Sequence, residues 1–138
     1  MFGPFCAMRK AVNVFLEQGN GGSIVNVASL GGMRTCAGAI YCASKAAVIS
    51  MTKNTAYMYM KDGIRANAIA PGGIASEIAT SMGQPNPNGY GRIQPVLACG
   101  PEMGSTEEIA KAALFLASED SAYISGDVLV VDGGWNAG

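Results

Sequence analysis

Apolar residues in the first stretch of the chain return at steps of three and four, with Phe5, Met8, Val12, Phe15 and Leu16 falling within residues 4–18. That spacing builds one face of a helix, and Gly19 followed by Asn20-Gly21-Gly22 supplies its stop. The pattern then changes. Ser23-Ile24-Val25-Asn26-Val27-Ala28-Ser29 is short and rich in β-branched residues, which predicts a strand buried on both faces, as in a parallel sheet. A loop containing Gly31-Gly32 leads into a long helical stretch over about 38–61, closed at Asp62-Gly63 where glycine can take the left-handed stop. Residues 64–70 form a second strand, ended by Pro71-Gly72-Gly73. Periodicity is poor over 81–104, and Gln84-Pro85-Asn86-Pro87-Asn88-Gly89 predicts a mobile loop with a short helix before it. Ser105 and Glu108 stand at capping-box spacing, so a helix is expected from there to about Ser118. A last strand covers 127–132, before Gly133-Gly134.

Helices alternating with apolar strands call for parallel crossovers and an α/β layered fold. Three strands are few for such a sheet. The open edge of the first strand would present unpaired backbone groups, so the chain reads as half a domain whose edge a partner, an oligomer or a further segment must cover.

Composition narrows the function classes. Of 138 residues, 49% are hydrophobic and 14% charged, enough for a real core. Nine Lys and Arg against ten Asp and Glu give a net charge of -1, with no basic patch to displace counterions from phosphates, so no nucleic-acid partner is expected. The amino terminus is apolar and then basic, the reverse of a secretory signal. No stretch approaches the roughly 18 apolar residues of a membrane span. A soluble, cytoplasmic protein without a membrane partner is expected. Cys6, Cys36, Cys42 and Cys99 show no CxxC spacing, and the chain has no histidine, so no metal site is expected. The missing histidine also removes the usual base of serine and cysteine hydrolases. Acid–base chemistry must then use Tyr, Lys, Asp or Glu.

Tyr41 and Lys45 open the long helix four residues apart, which stacks them on one face. A free tyrosine titrates near 10 and is a poor acid or base at neutral pH. A neighbouring ammonium favours the phenolate and moves such a group toward alcohol–carbonyl proton transfer. Ser29 ends the first strand, where ligands bind in open α/β sheets, and its hydroxyl could hydrogen-bond a substrate oxygen. Each feature alone has a plainer reading: surface packing for the Tyr–Lys pair, a turn former for the serine.

Context shifts that balance. Residues 21–29, Tyr41-Cys42-Ala43-Ser44-Lys45, residues 63–72 and Ile124 through Trp135 together resemble the short-chain dehydrogenase/reductase family, in order and over essentially the whole chain. The resemblance implies the carboxy-terminal part, residues 1–138, of one Rossmann-like domain, with the family's amino-terminal strands and GxxxGxG phosphate loop absent from the chain. It implies NAD or NADP as cofactor and a small-molecule alcohol or ketone as substrate. Tyr41 matches the catalytic acid/base, Lys45 the lysine that bonds the nicotinamide ribose, and Ser29 the residue orienting the substrate oxygen. Pro71, Gly72, Ile74 and Ser76 match the loop against the nicotinamide, with Ile74 meeting the carboxamide through its backbone and Ser76 replacing a usual threonine. The first helix and the Tyr-bearing helix would form a dimer or tetramer interface, Ala46, Ala47, Met51 and Ala56 fitting that role and a helix–sheet contact equally well.

Two departures accompany the likeness. The family's active-site asparagine would fall before Met1, and Ser29 and Tyr41 are twelve apart, one fewer than usual. Two readings follow: an NAD(P)-dependent oxidoreductase, or a non-catalytic fragment or oligomerisation module. A hydrolase using Ser29 or Ser44 is disfavoured by the lack of histidine.

Overall fold

A strand followed by a helix that carries the chain back must pair in parallel with the next strand. A computed structural model of the chain, which describes residues 1–78 and 83–138, follows that rule. Strands β1 (Gly22–Val27), β2 (Ile64–Pro71) and β3 (Val128–Val131) form, among the described residues, a parallel sheet in the order β1-β2-β3. Gly22 stands opposite Ile64 and Val27 opposite Ile69, while Ala68 to Pro71 face Val128 to Val131. All three strands therefore end at the same side of the sheet.

Alternation along the strands sorts the helices. On β1, Ile24 and Asn26 face helices α1 (Phe2–Gln18) and α2 (Ala39–Met58). Ile24 joins a core with Met8, Val12, Ala56, Ile64 and Ala66, and Asn26 donates to the Thr52 hydroxyl at 2.9 Å. Ser23 points the other way, where its hydroxyl donates to the Leu116 carbonyl at 3.0 Å. Leu116 belongs to α4 (Thr106–Ala117), which covers that second face. Ala66 and Ala68 of β2 are fully buried, and Val48 of α2 packs in one cluster with Ala68.

Polar side chains of β2 fasten the segment between α4 and β3. Arg65 donates to the carbonyls of Leu116 at 3.1 Å and Ser118 at 3.0 Å, placing a cation at the carboxy end of α4, where the helix dipole favours it. Asn67 is fully buried. Its amide donates to Ile124 O at 2.8 Å and its oxygen accepts from Asp127 N at 3.0 Å. The capping box expected from the sequence is formed, Ser105 and Glu108 each accepting from the other's backbone N–H.

Three expectations change. The long helix stops at Met58 rather than near Lys61; a tight turn over Met60–Asp62 follows, and Gly63 takes the left-handed conformation at φ 71°. The first strand is not buried on both faces: only Ile24 is buried and Val27 is half exposed, because no strand pairs with its outer edge among the described residues. The stretch read as a loop over 81–104 contains a helix, α3 (Pro87–Ala98). Asn86 caps it, accepting from the N–H groups of Asn88 and Gly89, and Pro87 sits in its first turn where a missing N–H costs nothing. Ser81 lies outside the described residues, as does the stretch just before it where a short helix is expected. Among the described residues no helix is long and apolar enough to cross a membrane.

Asn67→Leu is expected to destabilise the chain by about 2 kcal/mol in urea unfolding, since it removes both part-buried hydrogen bonds that the Asn67 amide makes to Ile124 O and Asp127 N. A loss below about 1 kcal/mol would show that the Ile124–Asp127 segment is held by other contacts.

Candidate active site

Parallel strands leave their carboxy ends at one edge, and the turns leaving them are where α/β sheets bind ligands. The turn after β1 is the tightest of these. Ser29 is extended, and its Oγ accepts from Gly31 N at 3.1 Å, capping a short turn over Leu30–Gly32. That bond fixes the serine oxygen and leaves its hydroxyl hydrogen to donate elsewhere. Gly31 lies between the two oxygen-bearing side chains: a Cβ there would stand 3.1 Å from the Tyr41 ring and 3.5 Å from Ser29 Oγ. Gly32 lies on the backbone of α2, where a Cβ would come within 2.7 Å of the Lys45 carbonyl carbon. Two glycines thus let the Ser29 turn sit directly on the helical turn that carries Tyr41 and Lys45.

Lys45 reaches back to the strand. Its ammonium donates to the Val27 carbonyl at 3.1 Å and lies 5.7 Å from the centroid of the Tyr41 ring. One N–H is spent on the strand end, and two remain.

The turn after β2 closes the other side. Gly72 donates to Val131 O at 3.0 Å and lies against Asp132, where a Cβ would approach to 2.8 Å. Ile74 bridges to Gly104 through the bonds Gly104 N to Gly73 O and Ala75 N to Gly104 O, each 2.9 Å. In that pairing the N–H and C=O of Ile74 itself face away from Gly104.

All seven residues singled out in the sequence line one open cleft of about 290 Å³: Ser29, Tyr41, Lys45, Pro71, Gly72, Ile74 and Ser76. Sequence reasoning missed Ile78, Thr106 and Ile109, which line it too. The last two belong to the first turn of α4, and the capping box that located that turn carries no sign of what it faces. No residue of α3 lines the cleft. A larger groove of about 410 Å³ runs between α1 and α2, lined by Met8, Val12, Met51 and Tyr59 among others, and holds none of these seven residues. Ala56 packs in the helix–sheet core, and Ala46 is exposed.

Burial pushes the Cys36 thiol up from its ordinary range, and Cys42 nearby pushes it further. Among the described residues all four cysteines are free thiols.

A family model described as enoyl-(acyl carrier protein) reductase matches residues 1–136. The chain is 47% identical over 132 residues to 3beta-hydroxysteroid dehydrogenase 2 of Eggerthella lenta, a match covering 94% of this chain and 50% of that protein. Among solved structures, 4-hydroxyisoleucine dehydrogenase complexed with NADH superposes with a TM-score of 0.81 at 32% identity, covering 100% of this chain and 56% of that one. Levodione reductase superposes with a TM-score of 0.80 at 37% identity, covering 96% and 53%. The chain spans about half the length of the curated relatives it matches.

Gly32→Ala is expected to pry the Ser29 turn off α2, because the added methyl meets backbone rather than a mobile side chain. The cost should be about 1–3 kcal/mol in thermal unfolding. An unchanged melting temperature would mean that the turn does not rest on the Lys45 backbone.

Proposed function

The chain belongs to the short-chain dehydrogenase/reductase family, and from that we propose that it is the carboxy-terminal, reaction-bearing part of a single Rossmann-like domain in an NAD(P)-dependent oxidoreductase. The reaction is the interconversion of a secondary alcohol and a ketone. The observation that carries this reading is the single cleft at the strand ends, where Ser29, Tyr41 and Lys45 meet the 71–76 turn.

The residues present fit the nicotinamide end of the cofactor. Lys45 has two N–H groups left for ribose hydroxyls, Tyr41 stands beside it, and Ile74 offers backbone N–H and C=O on the side away from Gly104 for a carboxamide. The chain holds no GxxxGxG run, so contacts to the phosphates are assigned to none of its residues. When bound, the nicotinamide supplies or accepts the hydride.

The protein's own groups handle the oxygen. In the reducing direction the Tyr41 hydroxyl gives its proton to the substrate oxygen, and in the oxidising direction it takes that proton back. Ser29, its Oγ fixed by Gly31 N, donates to the same oxygen and holds it within reach of the tyrosine. Lys45, tied to Val27, holds its charge by the ring throughout. We place the protein in the cytoplasm as a homo-oligomer, with α1 and α2 as the shared face; exposed Phe2, Phe5, Ile40 and Tyr57 on those helices support this.

The outer edge of β1, unpaired among the described residues, favours a second reading, a fragment or oligomerisation module that binds no cofactor by itself. NADH and NADPH titrations of the 138-residue chain are expected to show little binding; tight stoichiometric binding would sink the fragment reading. Joined to a complete nucleotide-binding half, Tyr41→Phe should lower kcat by about a thousandfold with NADH binding retained. Undiminished turnover would remove Tyr41 from the chemistry.

A further inference from the structure

The loop between Ser29 and Tyr41 crosses open surface, with Met33, Arg34 and Thr35 all exposed. Beyond them Cys36 and Ala37 are half-buried, and the Ala37 carbonyl accepts from the Cys42 thiol at 3.4 Å. The exposed stretch is tied down at Arg34. The backbone N–H of Arg34 donates to Leu30 O at 2.8 Å, within the Ser29 turn. Its guanidinium reaches across 102 residues of sequence to the end of the chain: Nε donates to Asn136 Oδ1 at 2.6 Å, one terminal nitrogen to Asn136 O at 2.5 Å, and the other to Gly138 O at 2.8 Å.

What it grips is itself anchored to the rest of the cleft. The Asp132 carboxylate accepts from Gly134 N at 2.9 Å and Asn136 N at 2.6 Å, folding the tail into the turn Trp135–Ala137. Asp132 lies against Gly72, in the turn that follows β2. Trp135 packs over Gly100, where a Cβ would stand 3.4 Å from the ring, and Gly133 meets Pro101. Residues 132–138 therefore touch the 71–76 turn, the segment before α4 and, through Arg34, the Ser29–Tyr41 loop.

We propose that Arg34 is a positioning residue whose guanidinium latches the Ser29–Tyr41 loop to the carboxy-terminal tail and so sets the Ser29 hydroxyl against Tyr41. The chemistry suits arginine and not lysine. A planar fork meets a side-chain amide and two backbone carbonyls at once, whereas an ammonium on a flexible stem satisfies one or two of them without fixing direction. The catalytic part of this role rests on the reading of Ser29 and Tyr41 given above; the latch itself does not.

Hydrogen exchange on the chain tests the latch. Arg34→Met, deletion of residues 136–138, and the two combined should each raise amide exchange over residues 30–37 by about fivefold, with no further gain in the combination. Trp135, the single tryptophan, should shift its emission to the red in Arg34→Met. Arg34→Lys should recover part of the protection. Unchanged exchange and emission, or fully additive effects, would overturn the latch. Should Arg34→Met lose its helical circular dichroism, Asn136→Ala removes one acceptor alone and should raise the same exchange by about twofold; no rise overturns the proposal. In the polypeptide joined to a nucleotide-binding half, Arg34→Met should lower kcat by about tenfold with KM for NADH unchanged. A loosened loop with full turnover would separate the latch from catalysis and overturn the positioning role. Full turnover in Tyr41→Phe with a loosened loop in Arg34→Met would overturn the active-site reading and leave the latch standing.

Discussion

The burial of β2 between two sheet neighbours and two helical layers is the constraint on which the rest depends. After Ile64 its even-numbered side chains are alanines, at 66, 68 and 70, all fully buried. Small side chains on that face let α2 settle close to the sheet, and Val48 and Ala56 pack there. Its odd-numbered positions carry Arg65 and Asn67, which satisfy the carbonyls and N–H groups of the segment returning from α4. Buried polar groups are tolerated only when so paired, and among the described residues no buried side-chain nitrogen or oxygen lacks a partner. One strand thereby fixes the distance of α2 on one side and the path into β3 on the other.

That fixed distance is what makes the cleft possible. With α2 close to the strands, the turn after β1 has little room, and Gly31 and Gly32 are what fit. Lys45 can then reach Val27 O while Tyr41 faces the Ser29 turn. A bulkier residue at Ala68 would lift α2, lengthen the Lys45 contact and part the serine from the tyrosine together. The three groups are separate in sequence and in element, but mechanically they are one unit.

How much of this could be read from the sequence follows from how local each determinant is. The Ser105–Glu108 box and the Gly63 stop are settled within a few residues, and both are visible in the chain text. Asn86-Pro87 is equally local, yet it reads as turn chemistry until one notes that an asparagine followed by proline is also a helix cap followed by its first residue. The exposure of β1 has no local signature: a β-branched run looks the same at the centre of a sheet and at its edge, and only the pairing order distinguishes them. In the site, the four-residue spacing of Tyr41 and Lys45 announces a shared helical face. The nearness of Ser29 depends on two glycines that look like ordinary loop residues. Arg34 was beyond reach, because its partners lie 102 or more residues away and two of the three acceptors are backbone carbonyls, which every residue possesses.

The same distinction explains why the seven cleft residues come together although no strand pairs with the outer edge of β1 among the described residues. Ser29, Tyr41, Lys45 and the 71–76 turn are placed by the β1–β2 pairing, the α2 contact and the tail, none of which crosses the outer edge of β1. Contacts to a cofactor's phosphates would need a glycine-rich strand-to-helix turn, and in a parallel sheet that turn must come from another strand. The outer edge of β1 is therefore the seam between two physically separable tasks. On the reading proposed above, this side of it positions the groups that would meet a substrate oxygen, and the binding energy for a dinucleotide's phosphates would come from a segment paired with that edge. The Arg34 contacts join the loop after β1 to the tail, the tail rests beside the turn after β2, and neither contact depends on what pairs with that edge.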